Sequence, residues 1–388
     1  MLDRLDSQPP DALLALIRAY ADDERSDKID LGVGVYRTGD GDTPVFEAIK
    51  EAERRLIDEQ MSKSYLGPEG DTGFVNGLKP YIFGENATMG GRIAGMQTPG
   101  GTGAVRLALA VAKEAGAHTV HLGTPSWPNH AQIVEDLELT LNAFEHVQNG
   151  EANAATVLER IRAAGEGEVF VLQGSSHNPT GIDYSNEQWE AIADALSQSP
   201  ALALIDIAYQ GLGRGMDEDV AGLRIVLERV SEAMIAYSCD KNFGLYRDRV
   251  GALYVLAGDA GSLDAIMSNA NALARANWSM PPDHGAAAVR IVLRDTELTD
   301  LWLDELTTMR ERINSVRGRL AASGIPGMER LAEQNGLFAM LPLSKVQIVK
   351  MREDHGVYMA GSGRINVAGL HAGNTDKFIA ALADVTQG

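Results

Sequence analysis

The chain has 388 residues, 45% hydrophobic and 23% charged, enough to bury a large core and ordinary for a globular protein. A formal net charge of -20 without any Lys/Arg run argues against a nucleic-acid partner, and a single cysteine, Cys239, excludes an intrachain disulfide and a cysteine-built metal site. No apolar run is long enough to span a bilayer, the start Met-Leu-Asp-Arg-Leu-Asp lacks the order of a secretion signal, and the eight histidines show no ligand spacing; a cytoplasmic protein without a metal is expected.

In chain order, Pro9-Pro10-Asp11 reads as an exposed arm, followed by a helix over 12–20 that Asp11 would cap. The run 29–36 (Ile-Asp-Leu-Gly-Val-Gly-Val-Tyr) is strand-like, with glycines that permit close approach to the backbone, and Tyr36 and Arg37 stand beside it. An amphipathic helix over 44–60 leads to the turn-rich loop 64–70, which contains Tyr65. From there the pattern alternates as in a parallel α/β sheet. The turn 98–103 (Thr-Pro-Gly-Gly-Thr-Gly) precedes an alanine-rich helix over 104–115, and strands are expected at 118–122, 168–172, 201–205, 233–238 and 250–256. A long helical pattern over 298–322, roughly seven turns, carries the chain out of the sheet domain. A strand at 336–340, a helix over 345–355, a strand pair near 357–360 and 364–367 and a terminal helix complete it. The expected architecture is α/β: a mostly parallel central sheet flanked by helices, plus a smaller α/β domain built from both termini. The boundaries expected are 45–299 for the large domain and 1–44 with 300–388 for the small one, with an arm over about 1–10.

Ligands of open sheets bind outside the carboxyl ends of the strands, and the distinctive residues fall there: Trp127 and His130, Asn178, Asp206 and Tyr209, Ser238, Lys241 and Arg249. An aspartate ending an apolar strand is costly unless it faces a cation. A lysine lowered by desolvation becomes a nucleophile toward a carbonyl. Gly100 to Gly103 open a helix and suit one phosphate group rather than a dinucleotide, and Ser238 and Arg249 can serve the same phosphate. Pyridoxal phosphate asks for this set: an imine lysine, a phosphate cup, a carboxylate on the ring nitrogen and an aromatic face. Trp127 would stack on the ring while Asn178 and Tyr209 donate to its phenolate oxygen. Each residue also has a plainer reading, with Trp127 as a core aromatic, Asn178 as a turn residue before Pro179 and Tyr209 as a half-buried tyrosine.

Taken together, the segments 31–36, 65–67, 98–103, 125–130, 177–181, 206–211, 241–249 and 362–369 resemble the aspartate and aromatic-amino-acid aminotransferases, class I pyridoxal-phosphate enzymes of fold type I, almost end to end. The resemblance implies Lys241 as the imine lysine and proton shuttle, and Asp206, steadied by His130, as the partner of the ring nitrogen. It implies Trp127, Asn178 and Tyr209 around the ring, and Gly101, Thr102, Ser238 and Arg249 at the phosphate, joined by Tyr65 from a neighbouring subunit. Arg364 would clamp the substrate α-carboxylate, with Gly34, Trp127 and Asn178 also lining the substrate. Arg275 from the neighbour would meet a side-chain carboxylate. A homodimer with shared sites, acting on amino acids and 2-oxo acids by ping-pong kinetics, follows from the same resemblance.

Three positions depart from the family pattern. Asp240 stands where a serine commonly precedes the lysine, and would repel a phosphate unless turned away; Gln173 stands at a frequent histidine; Met280 replaces an asparagine typical of aspartate-selective enzymes. Arg275 favours dicarboxylates, and Val35, Thr43 and Thr102 look aspartate-selective, whereas Met280 softens the surroundings. The expectation is transamination between L-aspartate and aromatic L-amino acids and 2-oxoglutarate. The alternatives are an enzyme preferring tyrosine or phenylalanine, or a decarboxylase or lyase on the same fold. A non-enzymatic sensor of the kind fused to transcription regulators is disfavoured by the charge and the lack of a basic winged-helix segment.

Overall fold

The computed structural model describes residues 2–7, 12–84 and 89–387. Asp11 and the two prolines of the expected arm lie outside them. The chain divides into two compact units, one of Pro44–Arg312 with Glu333–Gly336, the other of Met1–Thr43, Ile313–Ala332 and Leu337–Gly388.

The larger unit is built on a seven-stranded sheet: β1 (Ile93–Pro99), β2 (Thr119–Thr124), β3 (Thr140–Glu145), β4 (Glu168–Gln173), β5 (Leu202–Ile207), β6 (Ala233–Ser238) and β7 (Val250–Leu256), in the order β1-β7-β6-β5-β4-β2-β3. Only β7 runs antiparallel to its neighbours. Helices cover both faces, so the central strands are apolar on both sides, and every residue of β6 and β7 is buried. The helix Gly100–Glu114 buries Leu107, Ala108 and Val111 in a core shared with Val120, Leu204, Ala236 and Leu253; its alanines let it lie close to the sheet. Ser185 and Gln188 close a capping box on the helix Asn186–Ser197, satisfying two orphan donors of its first turn. Registration matters for the site, because Gln173 stands opposite Asp206, and Asp206 opposite Ala236, two residues before Ser238.

The expected strands 118–122, 168–172, 201–205 and 233–238 all form, with ends displaced by two residues at most. β1 and β3 have no counterpart in the sequence reading: β1 is interrupted by Gly95 and carries the polar Gln97 and Thr98 near its end, and β3 has the mixed burial of an outermost strand.

In the smaller unit the run 29–36 is a strand only over Ile29–Asp30, since the chain bends from Gly32 onward. The expected pairing of 357–360 with 364–367 does not form. Val357–Tyr358 instead runs parallel to Ile29–Asp30, and Arg364–Asn366 antiparallel to Phe338–Met340. The helix Lys345–Glu353 starts from a second capping box, Ser344 with Gln347. Among the described residues no helix is long and apolar enough to cross a membrane.

Candidate active site

At the end of β5, Asp206 is buried with 6% exposure, and its Oδ2 lies 2.9 Å from His130 Nε2. His130 is held in the first turn of the helix Pro128–Asp136, where Pro128 loses no hydrogen bond because first-turn amides have no partner within the helix. Trp127, at the cap of that helix, stands edge-on to His130 with ring centroids 5.1 Å apart. After β4, the buried Asn178 donates from Nδ2 to the Tyr209 hydroxyl at 3.4 Å, and its Oδ1 is buried without a protein partner.

Beyond β6, Lys241 places Nζ 5.4 Å from the centre of the Tyr209 ring. Burial pushes its ammonium below the ordinary lysine value and Arg249 adds to that, while Asp240 and Asp206 oppose it. The neighbouring Cys239 is buried, and desolvation pushes its thiol well above the usual range, which makes it a packing residue.

The helix expected to begin at Ala104 begins at Gly100, so the glycine turn is itself the first helical turn, with its amides unclaimed by the helix. Gly100 has φ +68°, a conformation suited to glycine, and a Cβ there would come within 2.7 Å of Arg249 Nη2. A Cβ at Gly101 would lie 3.0 Å from that of Ser238, so the helix start rests directly on the end of β6. Arg249 itself sits at φ +57°, a strained conformation for a non-glycine residue. Asp240 does not turn away from this cup. Its Oδ2 pairs with Arg249 Nη1, and its Oδ1 accepts the Val250 amide at 3.2 Å.

The remaining candidates have contacts of their own. Within the smaller unit, Arg364 donates from Nη2 to the Gly32 carbonyl at 2.9 Å and lies over the Phe338 ring, and a Cβ at Gly34 would come within 2.5 Å of that same ring. Gly34 is therefore required by packing. Tyr65 is 94% exposed, and Arg275 is exposed with Nη1 donating to Ser279 Oγ at 2.7 Å. Met280 accepts the Leu66 amide on its sulfur at 3.1 Å, next to Tyr65. Ser126 was missing from the sequence reading, although it lies one turn before His130; its Oγ is 3.0 Å from His130 Nδ1 and receives Gln173 Nε2 at 3.3 Å.

The larger unit's donor set fits pyridoxal phosphate. An anion can take the helix-start amides of Gly101 and Thr102, the Ser238 hydroxyl and Arg249. The orphaned Oδ1 of Asn178 is a buried polar requirement that protein atoms leave unmet, and the Asp206 carboxylate beside His130 is a buried acid suited to a cationic ring nitrogen. The model of the family described as aminotransferase class I and II matches residues 26–382. The tyrosine aminotransferase of Rhizobium meliloti (strain 1021) is 46% identical over 376 residues, covering 95% of this chain and 96% of its own length. The aspartate aminotransferase of Escherichia coli (strain K12) is 37% identical over 396 residues, covering 99% and 100%. The crystal structure of an aromatic-amino-acid aminotransferase from Burkholderia pseudomallei, covalently bound to pyridoxal phosphate, superposes with a TM-score of 0.96 at 30% identity over 99% of both chains.

Proposed function

The chain belongs to the class I and II aminotransferases, and from that premise we propose that it moves an amino group between L-aspartate or an aromatic L-amino acid and 2-oxoglutarate. It is a pyridoxal-phosphate-dependent transaminase of fold type I. The observation that carries the assignment of roles is the desolvated Lys241 amine, set beside Tyr209 and after the strand adjacent to the one that ends in Asp206, the partner of His130.

When bound, pyridoxal phosphate supplies a cationic ring that stabilises negative charge at the substrate α-carbon. Lys241 accepts the proton leaving that carbon and returns it, a task suited to an amine that burial lowers below the ordinary lysine value. Asp206, oriented by His130, meets the ring nitrogen, and Trp127 covers the ring face. Asn178 and Tyr209 hold the phenolate oxygen. Gly101, Thr102, Ser238 and Arg249 hold the phosphate, with Asp240 fixing one side of the Arg249 fork. Arg364 takes the substrate α-carboxylate, with Gly34 leaving room beside it. The large exposed Tyr65 and the exposed Arg275 are explained if each serves the site of a second copy, which makes the working form a homodimer.

Substrate choice turns on Arg275. It rewards a side-chain carboxylate and penalises a neutral side chain unless it leaves the site; its exposed position and the soft thioether of Met280 ease that departure. The tyrosine aminotransferase relative favours a second reading, an enzyme preferring aromatic substrates. Comparison of kcat/KM for aspartate and phenylalanine separates them. A ratio within about 10³ supports dual use, and one above about 10⁴, roughly 5.5 kcal/mol of discrimination, rejects it. Equal yields of oxo acid and new amino acid, with no carbon dioxide, are the expected products.

A further inference from the structure

Asp206, the residue assigned above to the ring nitrogen, is the end of a chain of hydrogen bonds whose direction can be read from its far end. The Asn178 backbone amide can only donate, and the atom it meets at 2.8 Å in the Gln173 side chain is therefore the oxygen Oε1. That leaves Nε2 to donate, and it does so to the Asn178 carbonyl at 3.0 Å and to Ser126 Oγ at 3.3 Å. Ser126 Oγ, having accepted from Gln173, retains its own proton for His130 Nδ1 at 3.0 Å. His130 Nδ1 must then be the acceptor, so its ring proton lies on Nε2 and points at Asp206 Oδ2, 2.9 Å away.

We propose that Gln173 is a positioning residue: held at both ends of its amide by the Asn178 backbone, it sets the direction of the whole Ser126–His130–Asp206 relay and fixes His130 as the Nε2–H tautomer. This rests on the reading of Asp206 as the partner of the ring nitrogen, and it gives the departure at position 173 a function. An amide neither gains nor loses a proton near neutral pH, so the relay cannot reverse by titration at Gln173. Ser126 and Gln173 line a small cavity of about 10 Å³ whose wall also carries His146 and His177, stacked 3.8 Å apart. Burial lowers both, so neither sets a cation against the relay. The cavity holds one water at most. On this side the half-buried Ser126 Oγ meets Gln173 and His130.

The test is ¹⁵N NMR of the histidine side chains in the full chain, with and without pyridoxal phosphate, with His130→Gln used to assign the signal. Wild type is expected to show His130 as a single neutral Nε2–H tautomer in both states. Gln173→Glu places an acceptor where the donor stood; Ser126 must turn its proton toward the carboxylate, and His130 is expected to gain a proton on Nδ1. In the loaded enzyme that variant should lose about 10- to 100-fold in kcat and acquire a further ionisation in its pH profile, while KM for 2-oxoglutarate stays the same. Ser126→Ala provides a second route should Gln173→Glu fail to fold, and is expected to leave His130 in a mixture of tautomers. An Nδ1–H tautomer in wild type, or a His130 signal unchanged in both variants, overturns the proposal. Because the tautomer is read without cofactor, failure of the transaminase assignment would appear separately, as absent cofactor binding or turnover with the His130 signal as expected.

Discussion

The two edges of the seven-stranded sheet are made by the same strands, yet they end in opposite chemistry. At the carboxyl edge, β4, β5 and β6 run into Gln173, Asp206 and Ser238, and polar groups converge on one another over 2.8–3.4 Å. At the amino edge the same strands begin at Glu168, Leu202 and Ala233 and border a cavity of about 330 Å³, walled by Val111, Met234, Val255 and Ile266. The larger void is walled mostly by apolar side chains, with Glu168 and Glu232 also in its lining, and the small cavity at the carboxyl edge is the one that borders Ser126 and Gln173. Volume alone therefore does not locate a site here. What locates it is the number of buried polar atoms whose needs are met by each other or left open.

If this contrast is functional, substitutions at the carboxyl edge should remove activity with little loss of fold, and those at the amino edge the reverse. The largest effect is expected from Lys241→Ala, at least about 10⁴-fold in kcat, from loss of the proton carrier. Its cofactor-loaded visible spectrum should also lose the pH-sensitive band of wild type while cofactor remains bound. Thermal unfolding should move little, since the removed amine is a desolvated group that costs the folded state something to hold. Retention of more than about a hundredth of the activity would break the contrast at its centre.

A second test uses the carboxyl edge's dependence on pH. His146 is buried, with Nε2 bonded to the Ile182 carbonyl at 2.9 Å and Nδ1 to the Tyr184 hydroxyl at 3.2 Å, and burial pushes its pKa down to about 4. Below about pH 6.5 the unfolded chain takes up a proton here and the folded chain does not, so stability present above that pH is lost as the pH falls toward 4. Across that window the loss from this group is about 3 kcal/mol, at about 1.4 kcal/mol per unit. Denaturant unfolding at several pH values should show wild type losing more stability on acidification than His146→Gln by an amount of this order. Parallel curves would show that His146 titrates freely.

The sequence made the carboxyl edge legible because its residues stand one after another at strand ends, each next to a turn that ends an apolar run. Asp206, Asn178, Ser238 and Lys241 could be placed from that pattern with no knowledge of the sheet order. Ser126 and the role of Gln173 could not, because their meaning lies in a hydrogen-bond direction that crosses from β4 to the loop after β2. The run from Ile29 to Tyr36 misled for a physical reason: its apolar residues resemble a strand, but its backbone lies against Leu16 at Gly32 and against Phe338 at Gly34, and only Ile29 and Asp30 pair. Short strands of the smaller unit were visible as apolar patches, but their partners were not, since a two- or three-residue strand carries too little alternation to specify a register.

Asp240 sharpens the contrast within the carboxyl edge. The expected repulsion of phosphate holds unless the carboxylate turns away; Asp240 stays at the cup, buried against Arg249, where it cancels part of the arginine's charge. Asp240→Ser should therefore raise the affinity of the cofactor-free protein for inorganic phosphate by about tenfold, equivalent to about 1.4 kcal/mol. Titration calorimetry with phosphate and with pyridoxal phosphate measures it. Weaker binding would mean that Asp240 contributes by holding the Arg249 fork in place more than it costs in charge.

The smallest effect belongs to the amino edge, where only packing is at stake. Ala117 is half-buried at the wall of the larger cavity and rests against the core that includes Val111 and Val255. Ala117→Val adds two methyl groups facing unfilled apolar space, so stability should change by less than about 1 kcal/mol, with a gain if the methyls find contacts without moving Ile266. Turnover and cofactor affinity should remain within about twofold of wild type, because the strands transmit no displacement to Gln173, Asp206 or Ser238 when a void takes up the added volume. A loss of activity larger than the loss of stability would show instead that the two edges are mechanically coupled through β4, β5 and β6, and that the cavity is part of the catalytic machinery.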